Sequence, residues 1–199
     1  MFDVFLDRDG VINVERADYV KSWDEFQFLP GALSGIRRLT ELGCRLFVVT
    51  NQAGIHRGIM PVATVTDIHR RMRDAIYDHG GRIDGVFFCP HRSDEGCDCR
   101  KPRPGLLRLA ADIFQIDLSR AILVGDNLTD IEAGLAVGCR GILVRSGRRP
   151  VASMADLVSH PGLLLVDDVW AAANAIAATA TIAAIGTPPR GPQIVAARG

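Results

Sequence analysis

The sequence predicts an α/β fold built on a parallel sheet with helices on both faces. Three observations carry that prediction. Short apolar runs alternate with stretches of helical period along most of the chain. Glycines close several of the helical stretches, at Gly43 and at Gly80-Gly81. The polar residues best suited to chemistry fall at the carboxyl ends of the apolar runs, where open parallel sheets bind their ligands.

The elements follow in order. "FDVFL" (2–6) reads as a first buried strand, and "ALSGIRRLTELG" (32–43) as a helix with Leu33, Ile36, Leu39 and Leu42 on one face. "CRLFVVT" (44–50) is a second strand, "TVTDIHRRMRDAIYDHGG" (64–81) a second helix and "GVFFCP" (85–90) a short third strand. "GLLRLAADIFQ" (105–115) is a helix, "AILVGD" (121–126) a fourth strand and "TDIEAGLAVG" (129–138) another helix. "GILVR" (141–145) and "LLLVDD" (163–168) complete a predicted set of six strands. The Ala-rich stretch from Val169 to Gly186 only reaches the lower length limit for a membrane span and is weakly apolar, so it predicts a helix packed on the surface. Residues 1–185 are expected to form one domain, and the Pro- and Gly-rich 186–199 a flexible tail.

Composition narrows the partners. Lys+Arg and Asp+Glu number 23 each, so no global field draws the chain to nucleic acid or an anionic membrane. A local patch at Arg100, Lys101 and Arg103 suits a small anion better than a polymer. The N-terminus lacks a basic segment before an apolar run, and the five cysteines do not form a secreted disulfide framework. A cytoplasmic monomer with reduced thiols is expected.

"FLDRDG" places Asp7 and Asp9 at the end of the first strand. One carboxylate there can attack as a nucleophile, and the second can act as general acid and then base. Taken alone, the pair favours a turn with solvated acids. The company it keeps argues for chemistry. "VVTN" ends a strand on Thr50, whose hydroxyl and following N–H groups can hold phosphoryl oxygens. "VGDNLTD" ends another on Asp126, which beside Asp7 makes a hard oxygen site suited to Mg²⁺. Lys101 can neutralise the moving phosphoryl charge.

In these motifs the sequence resembles the haloacid dehalogenase superfamily of phosphatases: "DRDG", "VVTN", the lysine of "CRKP" and "GDNLTD" match its four motifs in order. Within it, "DRDGVIN", "NQAGIHRG", the Cys/His cluster and "CRKPRPG" are similar to the D-glycero-D-manno-heptose 1,7-bisphosphate phosphatases, over roughly residues 2–150. The resemblance implies a Rossmann-like core and a Mg²⁺-dependent phosphatase working through an aspartyl-phosphate. Asp7 would be the nucleophile and Asp9 the acid and base. Mg²⁺ would sit on the Asp7 carboxylate, the Asp9 carbonyl and Asp126, with Asn127 nearby. Thr50 and Lys101 would stabilise the phosphoryl group. Asn51, Gln52, Arg57 and Arg100 would contact the sugar or its second phosphate. Asp130 is left between two roles, metal ligand or support for Lys101.

Cys89, His91, Cys97 and Cys99 supply four soft ligands on one loop, the count and type for a closed structural Zn²⁺ site. Cys97 and Cys99 lack the CxxC spacing of redox pairs. Arg100 and Lys101 directly follow the last ligand, so the metal would hold them at the site. Cys44 and Cys139 read as core residues, and His69 and His79 as helix residues without a catalytic part. The short segment between Asp9 and the first helix leaves no room for a cap domain. The expected substrate is a small bisphosphorylated sugar losing its C7 phosphate. Histidinol phosphate and a nucleic-acid 3′ end are the alternatives. The neutral charge and few aromatics disfavour the second of these, and Asp9 disfavours a long-lived phospho-accepting signalling domain.

Overall fold

The computed structural model describes residues 2–147 and 163–185. Six strands form one sheet: β1 (Asp3–Leu6), β2 (Arg45–Asn51), β3 (Gly85–Cys89), β4 (Ile122–Gly125), β5 (Arg140–Val144) and β6 (Leu163–Val166). All neighbours are parallel, in the order β3-β2-β1-β4-β5-β6. The helices are α1 (Ala32–Glu41), α2 (Val62–Asp78), α3 (Gly105–Phe114), α4 (Leu128–Leu135) and α5 (Val169–Ile185).

The strands are apolar on both faces because each face is covered. Alternate side chains point to opposite sides, so Val4, Leu6, Leu46 and Val48 join the core under α1, α2 and α5. Phe5, Phe47, Val49 and Leu123 join the other core, with Leu106, Leu107 and Ala110 of α3 and Ala133 of α4. Cys44 belongs to the first core and Cys139 to the second, as their apolar neighbours predict. Burial pushes the Cys139 thiol up to about 12.

The Ala-rich α5 buries Val169, Ala172, Ala173 and Ile176 in the first core. It approaches α1 closely at Gly35, where an added Cβ would stand 2.9 Å from the Val169–Trp170 backbone. Among the described residues no helix is long and apolar enough to cross a membrane. Residues 10–31 between β1 and α1 hold one 3-10 turn (Trp23–Glu25) and no inserted domain, so the sheet carries no cap there. Helix α2 begins at Val62, two residues before the predicted start, with Pro61 at its N-cap. The predicted tail lies outside the described residues.

The strand order reverses between β1 and β4, which puts a crevice beyond their carboxyl ends. Asp7 and Asp126 directly follow these two strands.

Candidate active site

A cleft of about 270 Å³ opens at that crevice. Asp7, Asp9, Thr50, Asn51, Arg100, Lys101 and Asp126 all line it, so the structure brings together seven residues drawn from four separate stretches of sequence.

Lys101 is buried, with its Nζ 2.8 Å from Asp7 Oδ1, 2.6 Å from Asp130 Oδ1 and 2.7 Å from the Val49 carbonyl it donates to. Two carboxylates and a carbonyl thus surround the ammonium. Burial works against that charge, yet Asp130 and Asp7 drive the pKa above its ordinary value. Asn51 brackets the lysine backbone: its amide donates to the Lys101 carbonyl at 3.2 Å and accepts from the Lys101 N–H at 3.1 Å. Asp130 also accepts from the Asn127 N–H at 3.1 Å in a capping box that starts α4. Each of its oxygens therefore has a partner, and of its two sequence roles the geometry displays support of Lys101.

Burial pushes the Asp7 carboxyl up to about 7 against the pull of Lys101, with Asp130 and Asp9 adding to the rise. Burial, then the carboxylates of Asp7, Asp130 and Glu15, push Asp126 up to about 8. Carboxyl oxygens of Asp7, Asp126 and Asp130 lie within 4.8 Å of one another. Carboxylates that resist ionising together near neutral pH form a hard donor set that a divalent cation would satisfy. The residues present thus fit Mg²⁺. Gly10 keeps the turn beside them open: its φ is +83°, and a Cβ there would meet Asp126 Oδ2 at 2.3 Å.

Asp9 is gripped from several sides. Arg8 donates to both carboxylate oxygens at 2.9 and 2.8 Å, Asn13 to Oδ1 at 2.9 Å and Gln52 to Oδ2 at 2.9 Å. Burial alone would raise the Asp9 pKa, but Arg8 and the two amides hold it below the usual carboxylate range. Gln52 Nε2 also donates to Thr50 Oγ1 at 2.9 Å. The Thr50 hydroxyl hydrogen is then left to point elsewhere, as a phosphoryl donor needs.

Two expected sugar contacts stand elsewhere. Gln52 is buried behind Asp9 and Thr50 because it follows the strand end on the inward side, and it supports the acids instead of facing the cleft. Arg57 is exposed on the outside of a turn closed by its own N–H to the Ala53 carbonyl, and it does not line the cleft. Sequence reasoning gave no role at the site to Glu15, Arg16, Tyr19 and Thr129, which line the cleft, or to Arg8, Asn13 and His69 behind it. His69 had a usable signal: it shares the apolar face of α2 with Val65, Met72 and Ile76, so its ring had to be buried.

At the end of β3 and on the loop that follows it the four soft ligand atoms converge. Cys99 Sγ lies 3.2 Å from Cys89 Sγ, 3.5 Å from Cys97 Sγ and 3.2 Å from His91 Nδ1. Cys89 Sγ is 3.6 Å from Cys97 Sγ and 3.4 Å from His91 Nδ1. These separations are far too long for disulfides and near the edges of a tetrahedron with metal–sulfur bonds of about 2.3 Å. None of the five cysteines is in a disulfide.

A parallel sheet of this order, with paired aspartates beyond β1, Asp126 beyond β4 and a lysine bridging Asp7 to Asp130 on α4, defines a hydrolase of the haloacid dehalogenase type. The HAD-hydrolase-like family model matches residues 98–172. The chain is 40% identical over 173 residues to the D-glycero-beta-D-manno-heptose-1,7-bisphosphate 7-phosphatase of Pseudomonas aeruginosa, covering 87% of this chain and 96% of that one. It is 45% identical over 145 residues to the Pseudomonas putida protein of the same name, covering 73% and 83%. The crystal structure of D,D-heptose 1,7-bisphosphate phosphatase from B. bronchiseptica, complexed with magnesium and phosphate, superposes with a TM-score of 0.84 at 38% identity, covering 90% of this chain and 99% of that one. The chain belongs to the D-glycero-beta-D-manno-heptose-1,7-bisphosphate 7-phosphatase family.

Proposed function

We propose that this protein removes the C7 phosphate of D-glycero-D-manno-heptose 1,7-bisphosphate through an aspartyl-phosphate on Asp7. The observation that carries the reading is the Asp7–Lys101 pair at the mouth of β1, facing Asp126 across the crevice. One Asp7 oxygen attacks phosphorus as the bond to the sugar oxygen breaks, and Asp9, an anion in the free protein that the negative charge of the bound phosphate would drive to protonate, gives that oxygen its proton. Water then attacks the phosphoryl group, Asp9 takes a proton from it, and the bond to Asp7 breaks to release inorganic phosphate. Lys101 and the Thr50 hydroxyl hold the phosphoryl oxygens in both steps. Mg²⁺, held by Asp7, Asp126 and the Asp9 carbonyl, would supply positive charge to the carboxylates and the phosphoryl group together.

Support for a bisphosphate comes from a second recess that shares Arg100, Lys101 and Thr129 with the cleft and is lined also by Arg92 and Arg103. Guanidiniums suit a phosphate dianion. Zn²⁺ on Cys89, His91, Cys97 and Cys99 would fix the loop that delivers Arg100 and Lys101.

The test is phosphate release with Mg²⁺ from both anomers of heptose 1,7-bisphosphate, histidinol phosphate and a 3′-phosphorylated oligonucleotide, with Asp7→Asn as the blank. Strong preference for a heptose anomer is the expected result. Preference for histidinol phosphate or the oligonucleotide overturns the substrate, and turnover surviving in the blank overturns the mechanism.

A further inference from the structure

Arg8 is the largest fully buried side chain described, 1% exposed, although it lies between two catalytic candidates and does not line the cleft. A buried guanidinium is tolerable only where its hydrogen bonds and charge find partners. One terminal nitrogen is spent on Asp9, as described above. The other, Nη1, lies 3.2 Å from His69 Nε2.

Chemistry settles the direction of that bond. Arg8 can only donate, so the His69 nitrogen facing it is the bare lone pair and the ring proton sits on Nδ1. Burial, with Arg8 beside it, holds the imidazole pKa down to about 3, which keeps the acceptor neutral. The ring is braced in turn by Phe88 at the end of β3, with centroids 5.5 Å apart. A chain of contacts thus runs from Phe88 through His69 and Arg8 to both oxygens of Asp9.

We infer that His69 is a positioning residue for the acid–base step: by accepting from Arg8 it fixes the guanidinium, and through it the direction in which Asp9 presents its carboxyl to the leaving oxygen. The inference rests on the phosphatase reading above. His69 touches neither substrate nor metal in this scheme. Without it, Arg8 Nη1 loses this acceptor and turns toward another, carrying Asp9 with it.

The experiment compares kcat/KM for two esters on the same enzyme preparation. An alkyl phosphate such as the sugar substrate needs its leaving oxygen protonated, whereas p-nitrophenyl phosphate leaves without a proton. In His69→Leu, kcat/KM for the sugar phosphate is expected to fall about tenfold or more while that for p-nitrophenyl phosphate changes less than about twofold. His69→Gln, which restores an acceptor, is expected to recover most of the loss. The ratio of the two esters is independent of how much protein folds, so a partly unfolded variant still separates the outcomes. Equal losses on both esters, or no loss on either, overturn the inference while leaving the phosphatase standing. A wild-type protein that cleaves neither ester overturns the phosphatase reading and takes this inference with it.

Discussion

Lys101 Nζ stands 2.8 Å from the Asp7 carboxylate and 2.6 Å from that of Asp130, with all three groups buried. One cation therefore links the proposed nucleophile to the N-terminus of α4, since Asp130 also caps that helix. The arrangement makes structure and chemistry inseparable at this point.

Lys101→Met should show both effects. Removing one partner of a buried ionic cluster costs about 3 kcal/mol or more, because the charges left behind lack compensation. The melting temperature falls, and kcat falls by at least about a hundredfold through loss of phosphoryl charge stabilisation. Adding Asp130→Asn to Lys101→Met is expected to recover stability but no activity. Thermal melts and steady-state rates on the two variants separate these outcomes, and recovery of activity in the double variant would contradict the role given to the lysine.

Asp7 and Asp126 have folded-state pKa values raised to about 7 and 8 in the absence of a cation. Between their unfolded values and these, the native state binds more protons than the unfolded chain, so their contribution to stability is complete at low pH and is lost as pH rises through 7 to 8. Metal-free protein should therefore lose stability across that window. Mg²⁺ should restore it, more at pH 8 than at pH 5, because ionised carboxylates are its ligands. Asp126→Asn flattens the dependence. Melting curves at several pH values, with and without Mg²⁺, test the sign directly.

Cys99 Sγ lies within 3.5 Å of the three other soft ligand atoms. Cys99→Ala is expected to lose bound Zn²⁺ and most activity, since the loop that carries Arg100 and Lys101 loses its anchor. Mg²⁺ affinity should change less, because Asp7 and Asp126 directly follow other strands, β1 and β4. Metal content by elemental analysis and a Mg²⁺ titration of activity measure both, and a zinc-free protein with full activity would sink the anchor.

Gly10→Ala should be more damaging than its size suggests. The left-handed backbone costs about 1–2 kcal/mol for a residue with a Cβ. The methyl group would also overlap Asp126 Oδ2, which it meets at 2.3 Å. Weaker Mg²⁺ binding and lower turnover are expected, read from a metal titration alongside a melt. An unchanged Mg²⁺ affinity would show that Asp126 moves aside freely.

Much of the site was legible because strand ends are legible. Asp7, Thr50 and Asp126 each close an apolar run, and a parallel sheet gathers such ends at one edge, so their meeting in the cleft follows from order along the chain. The soft ligands were equally plain, since four of them fall within eleven residues of one loop. Gln52 turns toward Asp9 and Thr50 for a concrete reason. Its neighbours in sequence face the cleft, but the chain turns after β2, and the direction of one side chain at a turn depends on backbone angles that residue type does not specify. Arg57 belongs to the same segment, and in the structure it is exposed and does not line the cleft.

By itself the sequence determined which groups are available and roughly where each lies on its strand, because hydrophobic period and motif spacing are local properties. Only the tertiary structure decided how the acids are supported. Asp9 is held by Arg8, Asn13 and Gln52, and Arg8 by His69 sixty-one residues away. Asp130 is committed to Lys101, from a different loop. Those pairings are set by which buried polar groups must find partners once the layers close, and that requirement does not exist until the chain has folded.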